Sequence, residues 1–375
     1  MFSSIDHAMM LRAIKLAKRG RFTTAPNPNV GCVIAHGEDI VGEGYHYQAG
    51  QPHAEVFALR AAGEKAHGAT AYVTLEPCSH YGRTPPCAEA LVKAQVSRVV
   101  CAMVDPNPRV AGRGIKMLRD AGIEVQIGLL EAESHQLNVG FIKRMKTGMP
   151  FVQLKLAASL DGRTALANGE SKWITGPDAR ADVQRFRAQA GAILSTSATV
   201  LADDPSLNVR WSELGETVQN SYPESSLRQP YRVVVDSQNR VTPEHRLFDL
   251  PGNIYLARTS LGDEVWPEAV EQLVVPAVGD DNQQVDLEAL LRELAGKDIN
   301  HIWVEAGAGL GGALLSAGLV DELILYQAPK LMGSDSRGLV DLNGLTAMTQ
   351  VPELDITDVR MVGPDIRITA RIKQV

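Results

Sequence analysis

The chain has 375 residues, 45% of them hydrophobic and 22% charged, with four cysteines and a formal net charge of −7. That length exceeds what a single core usually organises, so two domains are expected, of ordinary globular composition. No apolar run approaches the roughly 20 residues of a spanning helix, the cysteines are too few for a disulfide scaffold, and neither half has the basic excess of a nucleic-acid binder.

The N-terminus, MFSSIDHAMMLRAIKLAKRG, is amphipathic and lacks the continuous apolar core and cleavage site of a signal peptide. It reads as a first helix over 6–19, and the protein as cytoplasmic. VGCVIA at 30–35 and DIVGEGYH at 39–46 predict a strand pair turning around Gly37. HAEVFALRAAG at 53–63 predicts a helix stopping at Gly63, and ATAYVTLEP at 69–77 a strand ending at a proline. A helix at 87–96, a strand at 98–106, a helix at 114–122 and a strand at 124–130 follow. Strands alternating with helices indicate an α/β layered domain.

Up to residue 148 the chain carries 17 Lys+Arg against 13 Asp+Glu, and beyond it 20 against 31. With the polar stretch KRMKT before Gly-Met-Pro, which suits a linker, this shift divides the chain into 1–147 and 148–375. The mild positive balance of the first part suits a small phosphorylated substrate. The second part is again α/β, with strands expected at 150–159, 232–237, 253–258, 271–278, 301–307 and 321–330, and helices at 286–296 and 312–318. No internal repeat or low-complexity segment interrupts it.

The chemistry of the first part lies in His53-Ala54-Glu55, Pro77-Cys78 and Cys87. One imidazole and two thiolates supply three zinc ligands and leave a fourth position for water, the mark of a catalytic zinc site. Zinc lowers the pKa of such a water toward neutrality. Glu55, two residues beyond His53 at a helix start, is turned off the ligand direction and is the candidate catalytic proton carrier. Cys87 follows Pro85-Pro86, so it falls near a helix N-terminus, where a thiolate is stabilised. The alternative readings are a structural zinc site and buried, unligated cysteines. Cys32 and Cys101 sit within apolar strands and read as core.

H-x-E…P-C-x-x-C is the zinc deaminase signature. Here eight residues, SHYGRTPP, separate the cysteines instead of two. PNPNVG, HAE and PCSHYGRTPPC together resemble the deaminase half of the bifunctional riboflavin-biosynthesis deaminase/reductase family. The resemblance implies one Zn²⁺ per chain and deamination of 2,5-diamino-6-ribosylamino-4(3H)-pyrimidinone 5′-phosphate, with Asn27, His46 and Arg83 contacting substrate. Taken by themselves, Asn27 also fits a Pro-rich turn and His46 a satisfied surface histidine. Arg83, between the zinc cysteines, suits bidentate recognition of a phosphate or base carbonyl.

In the second part, Glu305-Ala306-Gly307-Ala308-Gly309-Leu310-Gly311-Gly312 lies between a predicted strand and a predicted helix and satisfies G-x-G-x-x-G. Backbone N–H groups at such a helix start can cradle a pyrophosphate. The acidic pair Asp321-Glu322 falls at the start of the next strand and not at its end, which disfavours an ordinary Rossmann fold.

KLAASLDGRTA at 155–165, GESKWITGPDAR at 169–180, SATVLADDP at 197–205 and VEAGAGLGGALL at 304–315 resemble the reductase half of the same family. The resemblance implies an N-terminal cytidine-deaminase-like zinc domain followed by a dihydrofolate-reductase-like domain that reduces the ribosyl group to ribityl with NADPH. It implies that Ala157, Trp173, Thr199, Asp203, Gly307, Ala308, Gly309, Leu310, Gly311, Gly312 and Ala313 hold the cofactor. Ser171, Arg187, Leu207, Arg210 and Glu305 would contact substrate. Arg187 and Arg210 suit a phosphate, although Arg187 in a helical stretch also fits surface ion pairs. Trp173 also fits a rim aromatic, and Asp203 a cap or turn. Lys155, inside an apolar strand, is costly unless paired and is a candidate proton donor. Competing readings are a deaminase with a non-catalytic nucleotide-binding second domain, a nucleic-acid deaminase, and a scaffold with structural zinc. Small pyrimidine ribosyl phosphates are the expected partners, with no nucleic acid or membrane, and a homo-oligomer is compatible with the sequence.

Overall fold

The computed structural model describes residues 1–79, 81, 85–108, 110–278 and 283–373. It divides into two compact units, Met1–Met149 and Pro150–Val375. No helix among the described residues is long and apolar enough to cross a membrane.

The first unit opens with α1 (Ser4–Ala17), whose start is fixed by a capping box between Ser3 and Asp6. Then come β1 (Gly31–His36), β2 (Asp39–Tyr45), α2 (Ala54–Ala62), β3 (Thr70–Val73), α3 (Cys87–Lys93), β4 (Arg98–Cys101), α4 (Arg113–Asp120), β5 (Glu124–Ile127), α5 (Glu131–Leu137) and α6 (Val139–Thr147). The sheet order is β2-β1-β3-β4-β5. β1 runs antiparallel to β2 and β3, while β3, β4 and β5 are parallel. Alternate residues face opposite layers. Cys32, Ile34, Ala71, Val73, Val99 and Cys101 pack with α2, α3 and α4, whereas Val33, Ala35, Tyr72 and Val100 pack on α1. Cys32 and Cys101 are fully buried.

Two glycines on β2 bring α2 close. A Cβ at Gly42 would stand 2.2 Å from the Ala58 carbonyl oxygen, and one at Gly44 2.3 Å from that of Ala54. The start of α2, which carries His53 and Glu55, is therefore seated directly on the β2 backbone.

The second unit contains β6 (Phe151–Ser159), β7 (Arg163–Ala165), α7 (Pro177–Gln189), β8 (Ala192–Thr196), α8 (Ser197–Asp203), α9 (Glu216–Gln219), β9 (Tyr231–Val235), β10 (Ile254–Arg258), β11 (Val270–Val274), β12 (Ala277–Val278), β13 (Gln284–Val285), α10 (Leu287–Gly296), β14 (His301–Glu305), α11 (Ala308–Ser316), β15 (Glu322–Ala328), β16 (Arg337–Gly338), β17 (Leu354–Val362) and β18 (Asp365–Ile372). The main sheet has the order β11-β10-β9-β8-β14-β6-β15-β18-β17. It is parallel from β11 through β15. The terminal hairpin joins it antiparallel.

Several sequence expectations shift. KRMKT is not a linker. It completes α6, which stops at Gly148 in the left-handed region (φ 70°). The strand expected at 271–278 is divided between β11 and β12, with Pro276, which has no N–H to give a ladder, between them. The helix expected at 312–318 begins at Ala308, so most of the glycine run lies inside it. The hairpin of β17 and β18 was not anticipated.

Gly44→Ala should force α2 off β2 and destabilise the chain by about 1–3 kcal/mol, the usual cost of overpacking. Urea unfolding of the variant against the parent measures it.

Candidate functional site

His53 is the N-cap of α2, in extended conformation. Cys87 is the first residue of α3, after Pro86. Cys78 lies beyond the end of β3. The His53 Nδ1 is 3.5 Å from the Cys78 Sγ and 3.3 Å from the Cys87 Sγ. All three candidate ligand atoms lie within 4.8 Å of one another. A tetrahedral zinc with bonds of about 2.0 Å to nitrogen and 2.3 Å to sulfur requires an N···S separation of about 3.5 Å. Both N···S edges of the triangle therefore match a zinc site.

The local backbone also favours a thiolate at Cys78, whereas hydrogen bonding to Cys78 and burial push the Cys87 thiol upward. Cys87 N–H donates to the Cys78 Sγ at 3.3 Å, and Ala88 N–H to the Cys78 carbonyl at 3.1 Å. Hydrogen bonding from Cys87, aided by His53, draws the Cys78 thiol down to about 4. Glu55 is 3% exposed, and its Oε2 is buried without a hydrogen-bond partner. Burial pushes its carboxyl up to about 7. An orphaned carboxylate oxygen close to three candidate metal ligands is what a water-handling group requires. A bound cation would favour its ionised form.

His46 is buried and not a surface histidine. Its Nδ1 lies 3.1 Å from the Pro52 carbonyl and its Nε2 3.0 Å from the Asn27 Nδ2. Nδ1–H thus donates to the carbonyl, and Nε2 accepts from the amide. Burial lowers the His46 pKa, keeping it neutral. Its ring meets that of His53 edge-on at 5.3 Å. Asn27, His46 and the metal triangle therefore belong to one neighbourhood. Asn29 N–H donates to the Asn138 Oδ1 at 2.7 Å and the Asn138 Nδ2 to the Asn29 carbonyl at 2.9 Å. This clasp fixes the Asn27 turn, and no local sequence signal announces a contact 109 residues away. Arg83 lies outside the described residues.

In the second unit Glu305 ends β14, Lys155 lies beside it on the parallel strand β6, and the starts of α8 and α11 follow the carboxyl ends of β8 and β14, the end at which open α/β sheets bind ligands. Lys155 on β6 pairs in register with Glu305 at the end of β14. The Glu305 carboxylate receives the Arg187 fork, with Nε–Oε1 at 2.6 Å and Nη2–Oε2 at 2.8 Å. It also accepts from the Trp303 Nε1 at 2.7 Å. Arg187 donates further to the Asn208 carbonyl at 2.8 Å. Burial raises the Glu305 carboxyl, but the charge and hydrogen bonds of Arg187 outweigh it and hold the group at about 2. Burial depresses the Lys155 ammonium, Glu305 opposes that, and Arg187 reinforces it.

Arg187 is not a surface ion pair. It is 9% exposed and committed to Glu305. Arg210 is more exposed and forks onto Glu213. Leu207 is buried in a left-handed conformation (φ 46°) beside Trp303 and Tyr326, and Ala157 packs on the same cluster. Trp173 is exposed, with the Arg180 guanidinium 4.6 Å from its ring centroid. Ser171 is half-buried in the same segment. Lys172 links to Asp203 at 3.1 Å. Asp203 is the last residue of α8, and Asp204 supplies the left-handed cap. Thr199 N–H donates to the Thr196 hydroxyl that caps α8.

The glycine run is a helix start and not a loop. Gly307 is the N-cap of α11, and Gly309, Gly311 and Gly312 lie in its first turns with Ala308, Leu310 and Ala313. A Cβ on Gly312 would stand 2.1 Å from the Asp341 carbonyl oxygen. Packing therefore explains Gly312, while the first-turn N–H groups remain available to an anion.

Residues 3–103 match the cytidine and deoxycytidylate deaminase zinc-binding region, and residues 150–368 match the RibD C-terminal domain. The chain is 62% identical over 361 residues to riboflavin biosynthesis protein RibD of Escherichia coli, covering 96% of this chain and 98% of that protein. It is 55% identical to RibD of Haemophilus influenzae, covering 100% and 99%. Among solved structures, RibD of Acinetobacter baumannii superposes with a TM-score of 0.88 at 46% identity, covering 98% and 99%. A diaminohydroxyphosphoribosylaminopyrimidine deaminase/5-amino-6-(5-phosphoribosylamino)uracil reductase of Thermotoga maritima gives 0.85 at 32% identity, with the same coverage. A zinc-binding deaminase region followed by a reductase domain, matched along nearly the whole length of these relatives, places the chain in the RibD family of bifunctional riboflavin-biosynthesis enzymes.

Proposed function

We propose that residues 1–147 hydrolytically deaminate 2,5-diamino-6-ribosylamino-4(3H)-pyrimidinone 5′-phosphate and that residues 148–375 reduce the ribosyl side chain of the product to ribityl with NADPH. The observation that carries the first step is the imidazole–thiolate–thiolate triangle beside the unpartnered Glu55 oxygen. His53, Cys78 and Cys87 hold one zinc ion, which when bound acts as a Lewis acid and lowers the pKa of water. Glu55 takes a proton from the attacking water as the carbon–oxygen bond forms. It returns a proton to the amino nitrogen as the carbon–nitrogen bond breaks and ammonia leaves. Asn27 and the neutral His46 orient the pyrimidine, and Arg83 serves as a further substrate contact.

In the reductase, Ala157, Trp173, Thr199, Asp203 and the 307–313 helix start hold the cofactor. NADPH, when bound, supplies the hydride that C1′ of the ring-opened sugar accepts. Lys155 provides the matching proton to the adjacent nitrogen, its depressed pKa making it a better donor than an ordinary lysine. Ser171, Leu207, Arg210, Glu305 and Arg187 shape the substrate side, with Arg187 fixing the Glu305 carboxylate. The reading with a non-catalytic second domain is disfavoured by the match of that domain to the RibD C-terminal domain over 150–368.

Glu55→Gln should retain zinc and lose ammonia release by about 10²–10⁴-fold, the usual worth of a general acid–base group. Metal analysis beside an ammonia assay on the diaminopyrimidine phosphate checks it, and unchanged turnover would sink the assignment.

Glu305→Gln should slow NADPH oxidation with the deaminated intermediate. It should also change the acid stability of the second unit. The Glu305 pKa is depressed from its ordinary 4.5 to about 2, so its stabilisation is complete above 4.5 and is lost as pH falls toward 2. Urea unfolding at pH 6 and pH 3 should show the parent losing more of its advantage over the variant at the lower pH.

A further inference from the structure

We propose that Glu76 is the positioning residue that sets where Cys78 stands in the metal triangle. The inference rests on the zinc reading above. Glu76 is 4% exposed and immediately precedes Pro77-Cys78. Its Oε1 accepts from Gly114 N–H at 2.9 Å and Ile115 N–H at 3.3 Å. Its Oε2 accepts from Gly112 N–H at 2.9 Å and Asp105 N–H at 3.2 Å. Three of these donors belong to the start of α4, where N–H groups lack intrahelical acceptors and the dipole favours a negative charge. The fourth belongs to the segment that leaves β4.

The main chain repeats the attachment, because Glu76 N–H donates to the Met103 carbonyl at 3.0 Å. The helix also bears directly on the peptide before the ligand. A Cβ on Gly114 would lie 2.0 Å from the Pro77 carbonyl oxygen. Cys78 is thus held from both sides. Glu76 and α4 fix the chain entering it, and the Cys87 and Ala88 N–H groups fix its sulfur and its carbonyl.

A carboxylate is required for this because it offers acceptors only, at both ends of its fork. A glutamine of the same shape turns one acceptor into a donor facing two backbone N–H groups. Two of the four backbone N–H groups then lose their acceptor, and the Pro77-Cys78 turn loses its fixed support. The triangle loosens while the core beneath it stays packed.

The test uses the full chain with Glu76→Gln, Gly114→Ala and, as a core control, Val99→Ala, a fully buried residue of β4. Zinc affinity is measured by competition with a chromophoric chelator, and the cobalt-substituted proteins are compared by their thiolate and ligand-field absorption. Glu76→Gln should weaken zinc binding about 10–100-fold, as loss of a group orienting a ligand does, and should alter the cobalt spectrum. Gly114→Ala, which pushes α4 off the Pro77 carbonyl while keeping the carboxylate, should do the same. Val99→Ala should lower stability to urea without either change. Affinity of Glu76→Gln within twofold of the parent overturns the inference, as does an equal loss in Val99→Ala. Absence of zinc from the parent chain overturns the metal reading as well, which separates the two failures.

Discussion

Helix starts placed where strands end are the constraint on which both sites depend. In the first unit His53 caps α2, Cys87 opens α3, and the first turn of α4 grips Glu76 beside Cys78. The positive ends of these helices are thereby brought together around a group of potential anions. A thiolate at Cys78 that would be costly in an apolar interior becomes tolerable there, and three donors that could hold a divalent cation are gathered within 4.8 Å of one another. The second unit uses the same geometry with different chemistry. β8 runs into the capped start of α8, and β14 runs into the start of α11, on adjacent parallel strands.

The grouping of His53, Cys78 and Cys87 is legible in the sequence because their spacing is a chemical signature independent of fold. HAE and the two cysteines announce a zinc site before any packing is known. Most strands and helices were legible too, because their apolar periodicity is local. What the sequence concealed depends on distant partners. KRMKT reads as a polar connector, yet it is the half-exposed end of α6. The Asn29–Asn138 clasp joins residues that share no local pattern. Glu76 carried one faint signal, an acidic residue beside Pro-Cys at a strand end, but its four backbone donors become visible only when α4 is in place.

The reductase residues show the same limit in another form. Read singly, Arg187 suited either a phosphate or a surface pair, and Glu305 was a substrate contact. Together, 118 residues apart, they form a bidentate pair with Trp303 as a third partner. Neither charge would be stable there alone, because removing one partner of a buried pair typically costs about 3–5 kcal/mol. The glycine run answers two demands at once. A helix start can cradle an anion, while Gly312 is small because the Asp341 backbone lies against it.

The two buried glutamates of the deaminase unit show why its site is both firm and reactive. They lie only 21 positions apart in the sequence and are almost equally hidden from solvent. Glu76 has four donors, so its charge is fully answered and it serves as a fixed point. Glu55 leaves one oxygen unanswered. A buried, unsatisfied acceptor costs about 1–3 kcal/mol, a cost that folding alone would remove by supplying a partner. A group that must take up and release a proton in each turnover cannot be saturated by the protein itself. In the proposed arrangement the support at Glu76 holds the candidate ligands still, so that Glu55 can keep one oxygen without a partner beside them.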